Sequence, residues 1–166
     1  CVRLSVISGI PTSGEIGSAA FDECGTEKNA CWDVRNGVLR RYRGNAKTVV
    51  IPQNVIEIAA NAFKGNSYAE TVVFPTELTT VGKSAFESCV NLKQVIVNDK
   101  LNEIREKAFY GCDELDKIDF SFANGLNVIA GDAFDGTKWL ATHTDDSVII
   151  NGIFYKYLGQ SEDLHI

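Results

Sequence analysis

Cys31-Trp32 is the natural place in this chain to look for a nucleophile. A cysteine hydrolase needs its thiolate activated by a histidine, which a third polar side chain orients. The local pattern of such enzymes places Cys-Gly immediately before a small residue and the nucleophile. Here Cys24-Gly25 lies seven residues upstream of Cys31, and the partners on offer are His143 and Asn151. The expected role of Trp32 is instead packing, as for Trp139 further on. Metal chemistry is no better served. The five cysteines, Cys1, Cys24, Cys31, Cys89 and Cys112, form no CxxC pair and there are two histidines, so a structural zinc site is not expected. The odd cysteine count argues against a complete disulfide framework. Asp145-Asp146 are adjacent carboxylates that point to opposite sides of an extended chain, which fits an exposed loop, with His143 beside them, better than a cation site. His165 is assigned to a sheet surface. No Gly-rich phosphate loop and no acid–base pair is present. No catalytic residue, cofactor or metal is therefore expected.

Composition narrows the field further. At 166 residues, 45% hydrophobic and 23% charged, the chain can bury a core and is not a disordered tail. Its net charge of −6 argues against nucleic acid as a partner. The one dense basic run, Leu39 to Arg43, reads as a solvated hairpin strand, with Leu39, Arg41 and Arg43 on one face and Arg40 and Tyr42 on the other. No apolar run approaches the roughly 18 residues of a membrane helix, so no direct membrane insertion is expected.

What the chain does contain is a period. Ala-Phe recurs at Ala62-Phe63, Ala85-Phe86, Ala108-Phe109 and Ala133-Phe134, with spacings of 23, 23 and 25 residues, and an earlier copy stands at Ala20-Phe21. An aliphatic residue precedes each Ala by four. Cys24, Cys89 or Cys112 follows each Phe by three, replaced by Asn66 in one copy and Thr137 in another. An apolar ladder completes each unit: Ala46, Val49 and Ile51; Ala69, Val72 and Phe74; Leu92, Val95 and Val97; Leu115, Ile118 and Phe120. The first residues fit mid-repeat, so Cys1 is read as a repeat cysteine and the parent as extending at both ends, with the strand at Leu164 to Ile166 left uncapped. A second kind of unit appears twice. Asn36-Gly37 and Asn151-Gly152 stand 115 residues, or five periods, apart. Asn-Gly between strand-like runs is a hairpin signal because both turn positions take φ > 0. The strands expected are 32–34 with 38–42, and 148–150 with 153–157.

Each period then reads as an apolar-x-apolar strand, a turn, a short second extended piece and a corner at Ala-Phe with room for one helical turn. Ordering one such unit costs more than its own burial returns, so only a stack is stable. Stacking turns equal positions into columns. Phe63, Phe86, Phe109 and Phe134 become an aromatic spine, and the cysteines become buried free thiols. Residues alternating with the ladder face outward. One outward column is Thr48, Thr71, Gln94 and Lys117, and the next is Val50, Val73, Ile96 and Asp119. An exposed aliphatic row of that kind marks a contact surface, so these eight residues are the candidate partner-binding site.

The stretches "IPQNVIEIAANAFKG", "FPTELTTVGKSAFESC" and "LNEIREKAFYGC", with both Asn-Gly units, resemble the BspA-like (Treponema pallidum type) leucine-rich repeats of bacterial surface proteins. The resemblance covers nearly the whole chain. It departs at Gly9 in the ladder, at Asn98 where other copies have Pro, and in two extra residues around 122–125. It implies an α/β leucine-rich-repeat right-handed solenoid with a parallel sheet on one face, short helical corners and inserted β-hairpin units. The expected division is a partial repeat at 1–24, a hairpin unit at 31–45, repeats at 46–138 and a second hairpin unit at 148–159. It also implies a non-catalytic adhesion or binding module, cell-surface or secreted, that recognises a host matrix or other surface protein. A purely structural spacer and an enzyme-associated domain are the alternatives.

Overall fold

The computed structural model describes residues 31–159. The partial repeat at 1–24, Cys1, Cys24, His165 and the strand expected at Leu164 to Ile166 lie outside the described residues. The rest is a β-solenoid whose successive turns present strands to two parallel sheets. The ladder residues form the four-stranded sheet: β3 (Thr48–Val50), β5 (Thr71–Val73), β7 (Gln94–Ile96) and β9 (Lys117–Ile118). Its register is one period throughout, with Val49 beside Val72 and Val72 beside Val95. The short extended pieces form a sheet of their own. The hairpin β1 (Trp32–Arg35) and β2 (Val38–Tyr42) opens it, and β4 (Glu57–Ile58), β6 (Thr80–Val81), β8 (Glu103–Ile104) and β10 (Val128–Ile129) follow in parallel. A four-residue helix α1 (Lys138–Ala141) leads into a second hairpin, β11 (Ser147–Ile150) and β12 (Ile153–Tyr157).

The core lies between the sheets, and the spine is its axis. Phe63, Phe86, Phe109 and Phe134 are fully buried, with ring centroids 4.6, 5.1 and 5.3 Å apart and planes within 17° of parallel. Aromatic residues of the hairpins and of α1 cover its ends: Tyr42 lies 5.0 Å from Phe63 with Trp32 tilted against it at 4.5 Å, and Tyr155 and Trp139 meet Phe134. Cys89 and Cys112 are buried free thiols, as the column required. Each donates to the carbonyl of the spine phenylalanine one turn back, Cys89 to Phe63 at 3.2 Å and Cys112 to Phe86 at 3.0 Å. The Cys112 thiol is held protonated, first by its hydrogen bond with Cys89 and then by burial. Thr137, at the same position, behaves differently: its hydroxyl bonds the Phe134 carbonyl and accepts from the Leu140 amide. That N-cap starts α1, and the four-stranded sheet stops at β9.

The corners are tighter than one helical turn, because their amides divide between two destinations. Ala62, Lys64 and Asn66 bond carbonyls three residues back, while Asn61, Phe63 and Gly65 donate to Lys83, Ala85 and Glu87 of the next turn at 3.1, 2.7 and 2.8 Å. Ser84, Phe86 and Ser88 do the same to Glu106, Ala108 and Tyr110. Aiming alternate N–H groups along the stack flips the backbone into the left-handed region at Asn61, Gly65, Ser84, Ser88, Lys107 and Gly111. A helix would send all of them inward along its own axis. At the longer fourth period Lys107 meets the Asp132 side chain instead of a carbonyl, and the Phe134 amide ends on the Tyr155 hydroxyl.

The hairpins also depart from simple alternation. Both carry a bulge at the same place, so that Asp33 pairs with Arg41 but Val34 with Leu39, leaving Arg40 unopposed. The extra residue puts Leu39 and Tyr42 into the core and both Arg40 and Arg41 outside, correcting the expected split of Leu39 with Arg41 against Arg40 with Tyr42. Cys31 differs from the spine thiols in being disulfide-bonded.

Candidate functional site: the outer sheet face and its terminal cleft

The four-stranded sheet sets the outward residues in columns by strict parallel register. Thr48, Thr71, Gln94 and Lys117 are consecutive partners, as are Val50, Val73 and Ile96. Thr48 and Lys117 are exposed, and Thr71, Gln94, Val50, Val73 and Ile96 are half-buried. The aliphatic row is thus a shallow continuous strip flanked by polar side chains. Asp119 does not continue the second column. β9 ends at Ile118, and the Asp119 carboxylate accepts the Ser121 amide at 2.9 Å; hydrogen bonding from the Ser121 side chain first, and from its amide second, holds the Asp119 pKa below the usual range. The residues inserted at 122–125 cause this departure by pulling the chain away from the sheet.

Along one margin runs a column of alternating charge. Glu70 accepts from Lys47 at 3.0 Å and Lys93 at 2.8 Å, one turn to either side. These hydrogen bonds, Lys93 first, bring its pKa from 4.5 down to about 2. A carboxyl whose folded pKa is depressed stabilises the fold above its unfolded value and loses that contribution as pH falls toward the folded one. Glu70→Gln should therefore lower the urea midpoint at pH 7, with the difference shrinking below pH 4.5, gone near pH 2, and weakened by about 1 M salt.

Where the sheet stops, the face deepens into a cleft of about 350 Å³. Gln94, Ile96, Lys117 and Asp119 line it, joined by Phe122 and Trp139. Phe122 is 59% exposed, held out by the inserted residues, and Trp139 sits on α1 with its amide on the Leu115 carbonyl at 2.7 Å. The cleft pairs an aromatic lip and an aliphatic floor with one ammonium (Lys117), two carboxylates (Asp116 and Asp119) and one amide (Gln94). Four of the eight predicted residues meet here. Phe122 and Trp139 were missed as site residues. The two-residue insertion beside Phe122 was the available signal.

The nucleophile partners considered for Cys31 are engaged elsewhere. The thiol is consumed in its disulfide, His143 bonds the Trp139 carbonyl through Nδ1 at 2.8 Å, and Asn151 donates to the carbonyls of Phe120 and Ala123. Asp145 and Asp146 are exposed at a bend. Among the described residues, no group of three or more His, Cys, Asp or Glu side chains is placed to hold a metal, and no helix is long and apolar enough to cross a membrane.

Comparison with known proteins places this architecture. Residues 41–157 match the family described as "BspA type Leucine rich repeat region" in six copies. A crystal structure of a T. pallidum leucine-rich repeat protein is similar at 27% identity and a TM-score of 0.52, over 59% of this chain and 58% of that one. The chain thus spans little more than half of that relative. Leucine-rich repeat proteins of Bacteroides ovatus (25% identity, TM-score 0.49, 61% of this chain and 28% of that) and Bacteroides capillosus (25%, 0.45, 55% and 83%) are also similar. Among curated proteins none matches. With its spine, its two parallel sheets and a family match over most of its length, this chain belongs to the BspA-type leucine-rich repeat family.

Proposed function

We propose that the chain is a non-catalytic recognition module of a bacterial cell-surface or secreted protein, and that it binds a protein partner across the four-stranded sheet and the cleft at its end. The observation that carries this is the convergence of the in-register outer columns on a cleft with an exposed aromatic lip. A host matrix protein or another surface protein is the partner class. The disulfide at Cys31 supports an oxidising location, and the net charge of −6 supports protein rather than nucleic acid. Binding to a panel of immobilised matrix and cell-surface proteins tests the reading. Ile96→Lys and Phe122→Ser should each weaken a bound partner by at least about tenfold, and unchanged affinity would move the site elsewhere. A spacer role is the second reading. Ion pairs stitch consecutive turns at Lys47–Glu70–Lys93, Lys64–Glu87 and Lys100–Glu77, which favours a stiff rod, and a panel without any binding would select it.

A further inference from the structure

Three Asn-Gly pairs stand in the chain, at 36–37, 124–125 and 151–152. An asparagine followed by glycine can rearrange without an enzyme. The glycine amide nitrogen attacks the asparagine side-chain carbonyl carbon. The new N–Cγ bond closes a five-membered imide, and the side-chain nitrogen leaves as ammonia, carrying the proton of the glycine amide. Water then opens the ring at either carbonyl, giving aspartate or isoaspartate. Glycine favours the attack because no Cβ shields its nitrogen. A hydrogen bond that holds the leaving amide opposes the reaction, and so does one that occupies the attacking N–H.

The three pairs differ in these bonds. At 151–152 the leaving group is held: the Asn151 side-chain amide donates to the carbonyls of Phe120 and Ala123, both at 2.9 Å. At 124–125 the nucleophile is held: the Gly125 amide donates to the Asp99 carbonyl at 3.2 Å. At 36–37 neither is held. Among the described residues the Asn36 side chain and the Gly37 amide make no hydrogen bond, and Asn36 is exposed. Turn conformation does not account for the contrast between the hairpins, because they share it. The φ angles are 52° and 77° at Asn36 and Gly37, against 49° and 80° at Asn151 and Gly152.

We infer that Asn36 is a site of spontaneous imide formation and conversion to isoaspartate, a reaction that their tethers slow at Asn124 and Asn151, and that the conversion loosens the joint between the first hairpin and the repeat packed on it. That joint is made at Gly37. Its carbonyl accepts the Ile56 amide at 2.7 Å and the Glu57 amide at 3.2 Å. Its Cα lies so close under Ile56 that a Cβ would meet that side chain at 2.9 Å. Isoaspartate routes the main chain through the former side chain. One backbone carbon is added ahead of Gly37, and the original carbonyl becomes a free carboxylate at the turn. A two-residue turn sets the strand register through its own geometry, so the extra atom moves the Gly37 carbonyl away from the two amides it accepts.

The experiment incubates the full chain at mildly alkaline pH, which promotes loss of the glycine amide proton, and digests it at intervals. Peptide mass spectrometry scores the change from amide to acid at the three sites, and backbone fragmentation separates isoaspartate from aspartate. Conversion at Asn36 should run at least about tenfold faster than at Asn151, the factor that two net hydrogen bonds correspond to, and faster than at Asn124. Urea removes the tethers and should bring the three rates together. Equal native rates at Asn36 and Asn151, or a native difference that persists undiminished in urea, would overturn the assignment. In the converted chain the Ile56 and Glu57 amides should exchange hydrogen at least about tenfold faster than in the fresh one. Asn36→Gln incubated in parallel should keep the slow exchange, and so should Asn36→Asp, which adds the charge without the backbone atom. Unchanged Ile56 exchange after conversion, or fast exchange in Asn36→Asp, would overturn the loosening by a lengthened turn.

Discussion

Phe86→Ala should destabilise the protein by about 3–5 kcal/mol, near the upper end for a large-to-small change in a packed interior. The ring is completely buried and sandwiched at 4.6 Å by Phe63 and at 5.1 Å by Phe109. Its loss removes two stacking contacts as well as buried area. Relaxation into the void is obstructed by the backbone, because the Phe86 amide is tied to the Ala108 carbonyl and the Phe86 carbonyl receives the Cys112 thiol. Urea unfolding measures the loss, and Phe122→Ala serves as the control. Phe122 is equally large but 59% exposed, and its truncation should change stability by no more than about 0.5 kcal/mol. A Phe86→Ala loss under about 1 kcal/mol would show that the column of rings does not hold the turns together.

The second large effect concerns a residue that breaks the repeat pattern. Asn98 stands where the preceding copies carry Pro52 and Pro75. Restoring the pattern with Asn98→Pro is expected to destabilise the protein by about 1–3 kcal/mol, the net worth of two side-chain N–H donors shared among three carbonyls. The Asn98 side-chain amide donates to the carbonyls of Pro75, Thr76 and Leu78 at 2.7, 3.0 and 2.9 Å. One side chain thus satisfies the turn below it. Proline offers no donor, so the turn would lose these partners whatever its own φ preference. Asn98→Asp should fall as far or further, because the carboxylate brings negative charge toward three carbonyl oxygens. If thermal unfolding showed Asn98→Pro to be neutral or stabilising, these bonds would contribute nothing net.

Much of the architecture was legible because a 23-residue period converts spacing directly into stacking. The spine, the inward ladder at Val49, Val72 and Val95, and the free thiols of Cys89 and Cys112 all follow from equal positions meeting one turn apart. The hairpin strands fell within a residue of expectation because Asn-Gly fixes the turn. The parts that escaped are those where a neighbouring turn overrules the residue type. Nothing in lysine announces the left-handed backbone of Lys107. Its conformation comes from aiming amides along the stack. The bulge at Arg40 obeys the need to bury both Leu39 and Tyr42, which alternation cannot do. In the candidate site, the columns through Thr48 and Val50 were predictable, but the cleft depends on Asp119 turning away and on Thr137 capping a helix where the two preceding copies keep Cys89 and Cys112. Both are consequences of the irregular fourth period.

The hydrogen bonds that join one corner to the next, such as Phe63 to Ala85 and Phe86 to Ala108, connect successive turns and so lie along the stacking direction, as do the pairings within both parallel sheets. A pull on the two ends of such a stack loads those bonds in peel, one interface at a time, and not in shear across many strands at once. Each interface that opens releases a period of 23 residues, or 25 in the fourth, about 80 Å of extended chain at ~3.5 Å per residue, in exchange for a stacked rise of ~4.8 Å. Mechanically, then, the described stack is a coil of stored length that yields in near-equal instalments under tension, one turn at a time.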